Sequence, residues 1–411
     1  MLGDEKPLSN FPVQNMISPK ASPLSKNHAS ARFVPFNRAT CVGTEDRYVS
    51  DVIASGRLAG DGLYGRRCED WFARYFSVGR AFLTSSGTHA LEMAAMLLDL
   101  GPGDEVIMPS FTFPSTATAL ALRGACPVFI DVRPDTMNID ETCIEAAITP
   151  RTRAIVVMHY GGTPCNMDSI MALAHAFDLR VIEDAAHSIG GYWQKKPLGT
   201  IGDLAAFSFH ETKNVTSGGE GGLIWIRDPN LAERAKVIRE KGTNRDAFRA
   251  GTIDKYEWCD IGSSYVMADM NAAYLLAQLE AFEIITATRG ALSKLYRDAF
   301  DDHVASGRIE VQHEPEGSIT PGHLFYIKLR DEKDRSSFMA HMSKHNVSAA
   351  FHYSPLHTAP AGLRNGRFKG EDKFTTKDSA RLVRLPLFSN ISMAQCEYVI
   401  EIARQYLAAH R

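Results

Sequence analysis

Between residues 80 and 226 short apolar runs alternate with stretches of helical period. RAFLTSSG predicts a strand that runs into a glycine turn. THALEMAAMLLDLG then predicts a helix ending at Gly101. DEVIMPSF, CPVFIDV and RAIVVMHYGG predict three further strands. Asp168 follows as the expected N-cap of a helix over DSIMALAHAFDL. LRVIEDAAHS, LAAFSFH and GGLIWIRD continue the series, and the last meets Asp228-Pro229, an N-cap and first-turn pair opening LAERAKVIREKG. Strands that are apolar throughout, separated by helices, predict a mostly parallel sheet covered on both faces.

Beyond this block one long helical pattern starts near Asp269 and runs through MNAAYLLAQLEAFEIITATRGALSKLYRDAF. It is long enough to bridge two domains. A strand (HLFYIKL), a helix opened by Asp334, a strand (VSAAFHYS) and a terminal helix capped by Ser392 follow it. The expected division is a poorly ordered extension over 1–32, rich in Ser, Pro, Asn and Lys, a large domain over 33–280 and a small α/β domain over 281–411.

Composition narrows the function classes. The chain has 411 residues, 45% hydrophobic and 23% charged, which is ordinary globular usage. A net charge of -3 gives no nucleic-acid signal. No apolar run approaches the ~20 residues that span a bilayer, so no membrane partner is expected. Seven scattered cysteines, an odd count without a CxxC pair, favour a reduced, cytoplasmic protein over a disulfide scaffold. His341 and His345 have a zinc-compatible spacing in HMSKH, but no third ligand and no HExxH glutamate accompany them, so no metal is expected.

In an open α/β sheet, ligands gather beyond the carboxyl ends of the strands. Four clusters fall there. Ser86, Gly87 and Thr88 open a helix, whose free N–H groups and positive dipole end suit a phosphate. Phe111 and Phe113, in SFTFPST, are core residues or a plate for a planar ring. Asp184, in EDAAHS, either caps its turn or pairs with a protonated ring nitrogen, with His187 three residues on. Lys213, in FSFHETKNVTSGGEGG, is a surface lysine before a turn, or an amine that burial makes nucleophilic. In the second case Gly218, Gly219, Gly221 and Gly222 make room beside it. Each cluster alone is ambiguous. Together they supply a phosphate cradle, an aromatic plate, an acid for a pyridinium and an amine for an aldehyde, which is what pyridoxal 5'-phosphate requires.

Those same residues carry a family resemblance. FSFHETKN…GGEGG, EDAAHS and SGTHALEMA resemble the DegT/StrS-type sugar-nucleotide aminotransferases, of aminotransferase fold type I, over roughly residues 33–408. The resemblance implies that Lys213 bonds the cofactor aldehyde and then moves a proton, and that Asp184 keeps the pyridine nitrogen protonated. It implies stacking by Phe113 and phosphate binding by Ser86, Gly87, Thr88 and Ser208. His187, where many relatives carry Gln, would lie near the ring. It implies a homodimer with shared sites, Ser263 and Ser264 standing where many relatives place a cross-subunit Asn. Arg245, His352, Tyr353 and His357 are the implied substrate contacts. The implied substrates are L-glutamate and a dTDP-keto-sugar. Three rivals are a deoxygenating relative, against which Lys213 argues because those replace the lysine with histidine, a transaminase making a different 4-amino or 3-amino sugar, and a non-catalytic cofactor-binding homologue.

Overall fold

The computed structural model describes residues 33–410, which fall in one compact unit. The extension expected over 1–32 lies outside the described residues. An eight-stranded sheet dominates. Its strands, in chain order, are β1 (Arg80–Thr84), β2 (Glu105–Pro109), β3 (Cys126–Ile130), β4 (Thr152–Met158), β5 (Arg180–Asp184), β6 (Leu204–Ser208), β7 (Gly222–Ile226) and, far downstream, β10 (Arg367–Phe368). Their spatial order is β1-β7-β6-β5-β4-β2-β3-β10. Every neighbouring pair is parallel except the two that β7 makes, with β1 and with β6. This is the mixed, mostly parallel sheet that the resemblance implies.

Alternation along each strand explains the layering. Leu204 and Ala206 point into a core with Ala90, Met93 and Ala94 of the helix Gly87–Leu97. Ala205 and Phe207 point the other way, into a core built on the helices Leu63–Phe76 and Asp269–Glu280. At the far half of the sheet, Ile155 and Val157 share that second face with Ile170 and Ala174 of the helix Met167–Ala176. Both faces are therefore apolar, as the continuous apolar runs require.

A second, three-stranded antiparallel sheet contains β8 (Glu310–Val311), β9 (Phe325–Lys328) and β11 (Leu382–Leu385), in the order β8-β9-β11. It packs its own core with the helices Glu332–Lys344 and Met393–Ala409. The last helix starts at Ser392 with a full capping box, as the sequence suggests.

Several local expectations shift. The long helical pattern is two helices, Asp269–Glu280 and Phe282–Ala305, joined at Ala281. The helix over 167–176 is capped by Asn166, whose side chain accepts from Ser169 N–H; Asp168 sits in its first turn. Asp331 rather than Asp334 opens the helix Glu332–Lys344. Asp334 is buried and receives Arg308, Arg330 and Tyr406. The helix Gly87–Leu97 stops short of Gly101. VSAAFHYS is not a strand: it makes two isolated bridges, Val347 to Val34 and Ala350 to Arg384, and the strand beside it is β11, from RLVRLPL.

Candidate active site

The carboxyl ends of β1, β5 and β6 open into one cavity of about 650 Å³, which strand β11 and the segment 350–353 close from the opposite side. Asp184 is the last residue of β5 and is buried. Its Oδ2 accepts from Thr116 Oγ1 at 2.7 Å, and its Oδ1 accepts from Ala186 N–H at 3.2 Å. Burial raises its pKa, while the Thr116 and Ala186 donors and the Lys213 charge oppose that.

Lys213 lies in the turn that follows β6 and lines the same cavity. Burial pulls its pKa down to about 8. Attraction to Asp184 works against this, and repulsion from Arg384 adds to it. The loop holding it closes tightly: Ser217 Oγ donates to Phe209 O and Glu220 O, and Phe209 N–H donates to Gly221 O. Gly222 is needed where this loop returns to the sheet, because a Cβ there would stand 2.4 Å from the Ser86 carbonyl.

Ser86 caps the helix Gly87–Leu97, its side chain accepting from His89 N–H at 3.1 Å. The N–H groups of Gly87 and Thr88 lie in the first turn, without partners inside the helix. Ser208 is half-buried at the end of β6, close enough that a Cβ on Gly87 would meet its Cβ at 2.9 Å. Phe113 is 56% exposed and lines the cavity, whereas Phe111 is 1% exposed and belongs to the core.

His187 is buried, and its Nδ1 accepts from Gly161 N–H at 3.2 Å. Its ring stacks on His323 with centroids 4.0 Å apart. Burial, chiefly, holds both imidazoles well below their usual pKa, so both are uncharged. His352 and Tyr353 also line the cavity, and Tyr160 Oη lies 2.6 Å from His352 Nδ1.

Two expected contacts lie elsewhere. His357 is outside the cavity: its Nδ1 meets Ser110 Oγ at 2.7 Å and its Nε2 meets Asp372 at 3.1 Å, tying the 351–358 segment to the end of β2. Arg245 pairs with Glu240 at 3.2 Å on the short helix Arg245–Arg249, also outside it. His341 Nε2 donates to Ile402 O, and no group of three metal-ligand side chains occurs among the described residues.

Sequence reasoning missed Thr116, His323 and Arg384. Thr116, three residues after Phe113, has a local signal in the PST helix start. Arg384 has a weaker one, a charge inside the apolar run RLVRLPL. His323, in PGHLF, has none; chain folding alone brings it to His187.

The profile of the DegT/DnrJ/EryC1/StrS aminotransferase family matches residues 40–404. The chain belongs to this family. It is a pyridoxal-phosphate-dependent sugar aminotransferase. It is 31% identical over 388 residues to the uncharacterized protein MJ1066 of Methanocaldococcus jannaschii, covering 90% of this chain and 97% of that one. Its structure is similar to that of the aminotransferase TlmJ from Streptoalloteichus hindustanus, with 28% identity, TM-score 0.84, and coverage of 92% of this chain and 100% of the other. It is also similar to Spr1654 from Streptococcus pneumoniae, solved in a PLP-form, with 25% identity, TM-score 0.81, and coverage of 92% and 99%.

Proposed function

We propose that this aminotransferase moves the amino group of L-glutamate to C4 of dTDP-4-keto-6-deoxy-D-glucose, giving dTDP-4-amino-4,6-dideoxy-D-galactose and 2-oxoglutarate. The observation that carries the reaction class is the convergence of Lys213, Asp184, Phe113 and the Ser86–Thr88 helix start in one cavity. For the sugar, the support is the likeness of PSFTFPST, DVRPDTMNIDE, DIGSSYVMADMNAAYLLAQLE and FHYSPLH to dTDP-4-amino-4,6-dideoxygalactose transaminase. The reading places the enzyme in bacterial surface-polysaccharide synthesis of the enterobacterial common antigen type. It also places it in the cytoplasm, with support from seven free cysteines.

The cavity residues fit pyridoxal 5'-phosphate. Bound there, that cofactor supplies an electron sink for the carbon that gains or loses the amine. The N–H groups of Gly87 and Thr88, with Ser208, would hold its phosphate at a helix start. Phe113 offers an exposed face for the ring. Asp184 is fixed by Thr116 and Ala186, so its carboxylate is aimed before a protonated ring nitrogen meets it. Lys213, with its amine at about 8, is an effective nucleophile and proton carrier near neutral pH. Uncharged His187 and His323 pack beside it without adding positive charge.

The reading includes a homodimer. Trp258 is 80% exposed and Ile261 60% exposed on the segment leading to Ser263 and Ser264, an apolar surface suited to a second copy.

The test is a two-step spectral titration of the cofactor-loaded protein. L-glutamate is expected to bleach the visible band, and dTDP-4-keto-6-deoxyglucose to restore it. Bleaching without recovery keeps the class and removes this sugar, and a panel of other keto-sugar nucleotides then finds the substrate. Full steady-state turnover by Lys213→Ala would refute the assignment of the nucleophile.

A further inference from the structure

The turn that carries the nucleophile has few bonds of its own. It belongs to no helix and no sheet ladder. Lys213 N–H donates to His210 O at 2.9 Å, and among the described residues no other N–H from 212 to 216 reaches a backbone carbonyl. The next side chain supplies what the backbone lacks. Asn214 is buried. Its Nδ2 donates to Pro321 O at 3.3 Å, which turns its Oδ1 toward His323. His323 Nδ1 then donates to that Oδ1 at 2.8 Å, so the imidazole carries its proton on Nδ1.

The segment 321–323 is itself held from behind. Arg289 is buried on the helix Phe282–Ala305. Its Nε donates to Gly322 O at 3.0 Å, and its Nη2 donates to His323 O at 2.6 Å and to Leu387 O at 3.2 Å. Gly322 has a φ of +60°, and a Cβ there would stand 2.5 Å from the Arg289 carbonyl oxygen. A firmly held segment thus meets a sparsely bonded turn at the residue after Lys213. This bears on the chemistry, because one amine serves both half-reactions and a misplacement of about 1 Å costs on the order of 100-fold in rate.

We propose that Asn214 and His323 form one clasp that positions the Lys213 turn, so that the amine works from a fixed pivot in both half-reactions. Both are positioning residues: His323 acts through Asn214, and Asn214 acts through the backbone it shares with Lys213. The inference rests on the reading of Lys213 as the nucleophile. The stacking of His323 on His187 is a separate contact, which any flat ring at 323 would keep.

Two variants and their combination test the clasp. Asn214→Ala removes both side-chain bonds, and His323→Phe removes the donor while keeping a flat ring against His187. Each is expected to lower the limiting rate of both half-reactions roughly 5- to 150-fold, the range for a buried bond whose partner is left unsatisfied. Half-saturating substrate concentrations should stay within about threefold. The double variant should be no slower than the slower single one, since the two residues act as a unit. His323→Asn sets an amide nitrogen near the place of Nδ1 and should recover part of the rate. A second arm needs neither substrate nor cofactor. In the cofactor-free protein the hydrogen-bonded amides of Glu211, Lys213 and Ser217 should exchange their hydrogens at least about fivefold faster in Asn214→Ala and His323→Phe, while those of the helix Met393–Ala409 exchange as in the wild type. Unchanged limiting rates, a change confined to half-saturation, a fall in only one half-reaction, additive losses in the double variant, unchanged exchange in the turn, or exchange accelerated equally everywhere each overturns the proposal. If Asn214→Ala does not fold, His323→Phe against His323→Asn decides on the same terms. If L-glutamate does not bleach the wild type, the donor assignment above falls, and hydrogen exchange still decides the clasp.

Discussion

The sharpest consequence of the site is the acidity of one amine. Lys213 sits at about 8 against the ordinary 10.5. At neutral pH roughly one molecule in ten then carries the free amine, about 300-fold more than for an ordinary lysine. Burial is the principal cause, and two charges modulate it in opposite senses: Asp184 raises the pKa and Arg384 lowers it. Asp184→Asn should therefore move the midpoint further down, and Arg384→Gln should move it up. The assay is trinitrophenylation of the cofactor-free protein from roughly pH 6 to 11, read peptide by peptide by mass spectrometry, with exposed lysines as the internal reference. A Lys213 midpoint matching the exposed lysines, or two variants shifting it in the same direction, would refute the electrostatic account. Stability follows by linkage. Between about 8 and 10.5 the unfolded chain binds this proton and the folded chain does not, so this group makes stability rise with pH across that window.

Three further outcomes are expected. Glu183 is buried and accepts from His159 and from the N–H groups of Gly199, Ile201 and Gly202, which outweigh burial and hold its pKa below the usual range. Glu183→Gln should cost about 2–4 kcal/mol in urea unfolding near neutral pH. The difference from wild type should shrink as pH falls below the unfolded value of about 4.5, because there the stabilising charge is lost; a difference independent of pH would contradict this. Thr116→Val removes a donor to Asp184, so Asp184 should become harder to ionise and stability near pH 7 should fall by roughly 1–3 kcal/mol, with urea midpoints as the check. Ser392→Ala should lower stability by about 1 kcal/mol through loss of the capping box, and an unchanged melting temperature would count against it.

Much of this protein can be read from local pattern. Apolar strands flanked by helices specify a sheet covered on both faces, because one-sided burial would leave alternating polar positions that RAIVVM and LAAFS lack. The positions just past those strands hold the cavity residues from Ser86 to Lys213, since ligands gather at that edge of any such sheet. Ser392 and Asp228 act as caps because their reach is only three residues. What the sequence leaves open depends on non-local contact. Asn166 and Asp331, not Asp168 and Asp334, became the caps, and Asp334 instead receives Arg330 from four residues away together with Arg308 and Tyr406, two partners that only tertiary packing supplies. The long helical period runs through Ala281 without a break residue, yet the chain divides there between two helices. Of the substrate contacts expected around FHYSPLH, His352 and Tyr353 reach the cavity while His357 is held by Ser110 and Asp372, a choice made by a strand end far away in sequence. The stacking of His323 on His187 and the placing of Arg384 opposite Lys213 require two sheets to meet. No period or spacing encodes that meeting; it comes from the fold that gives both sheets a buried face.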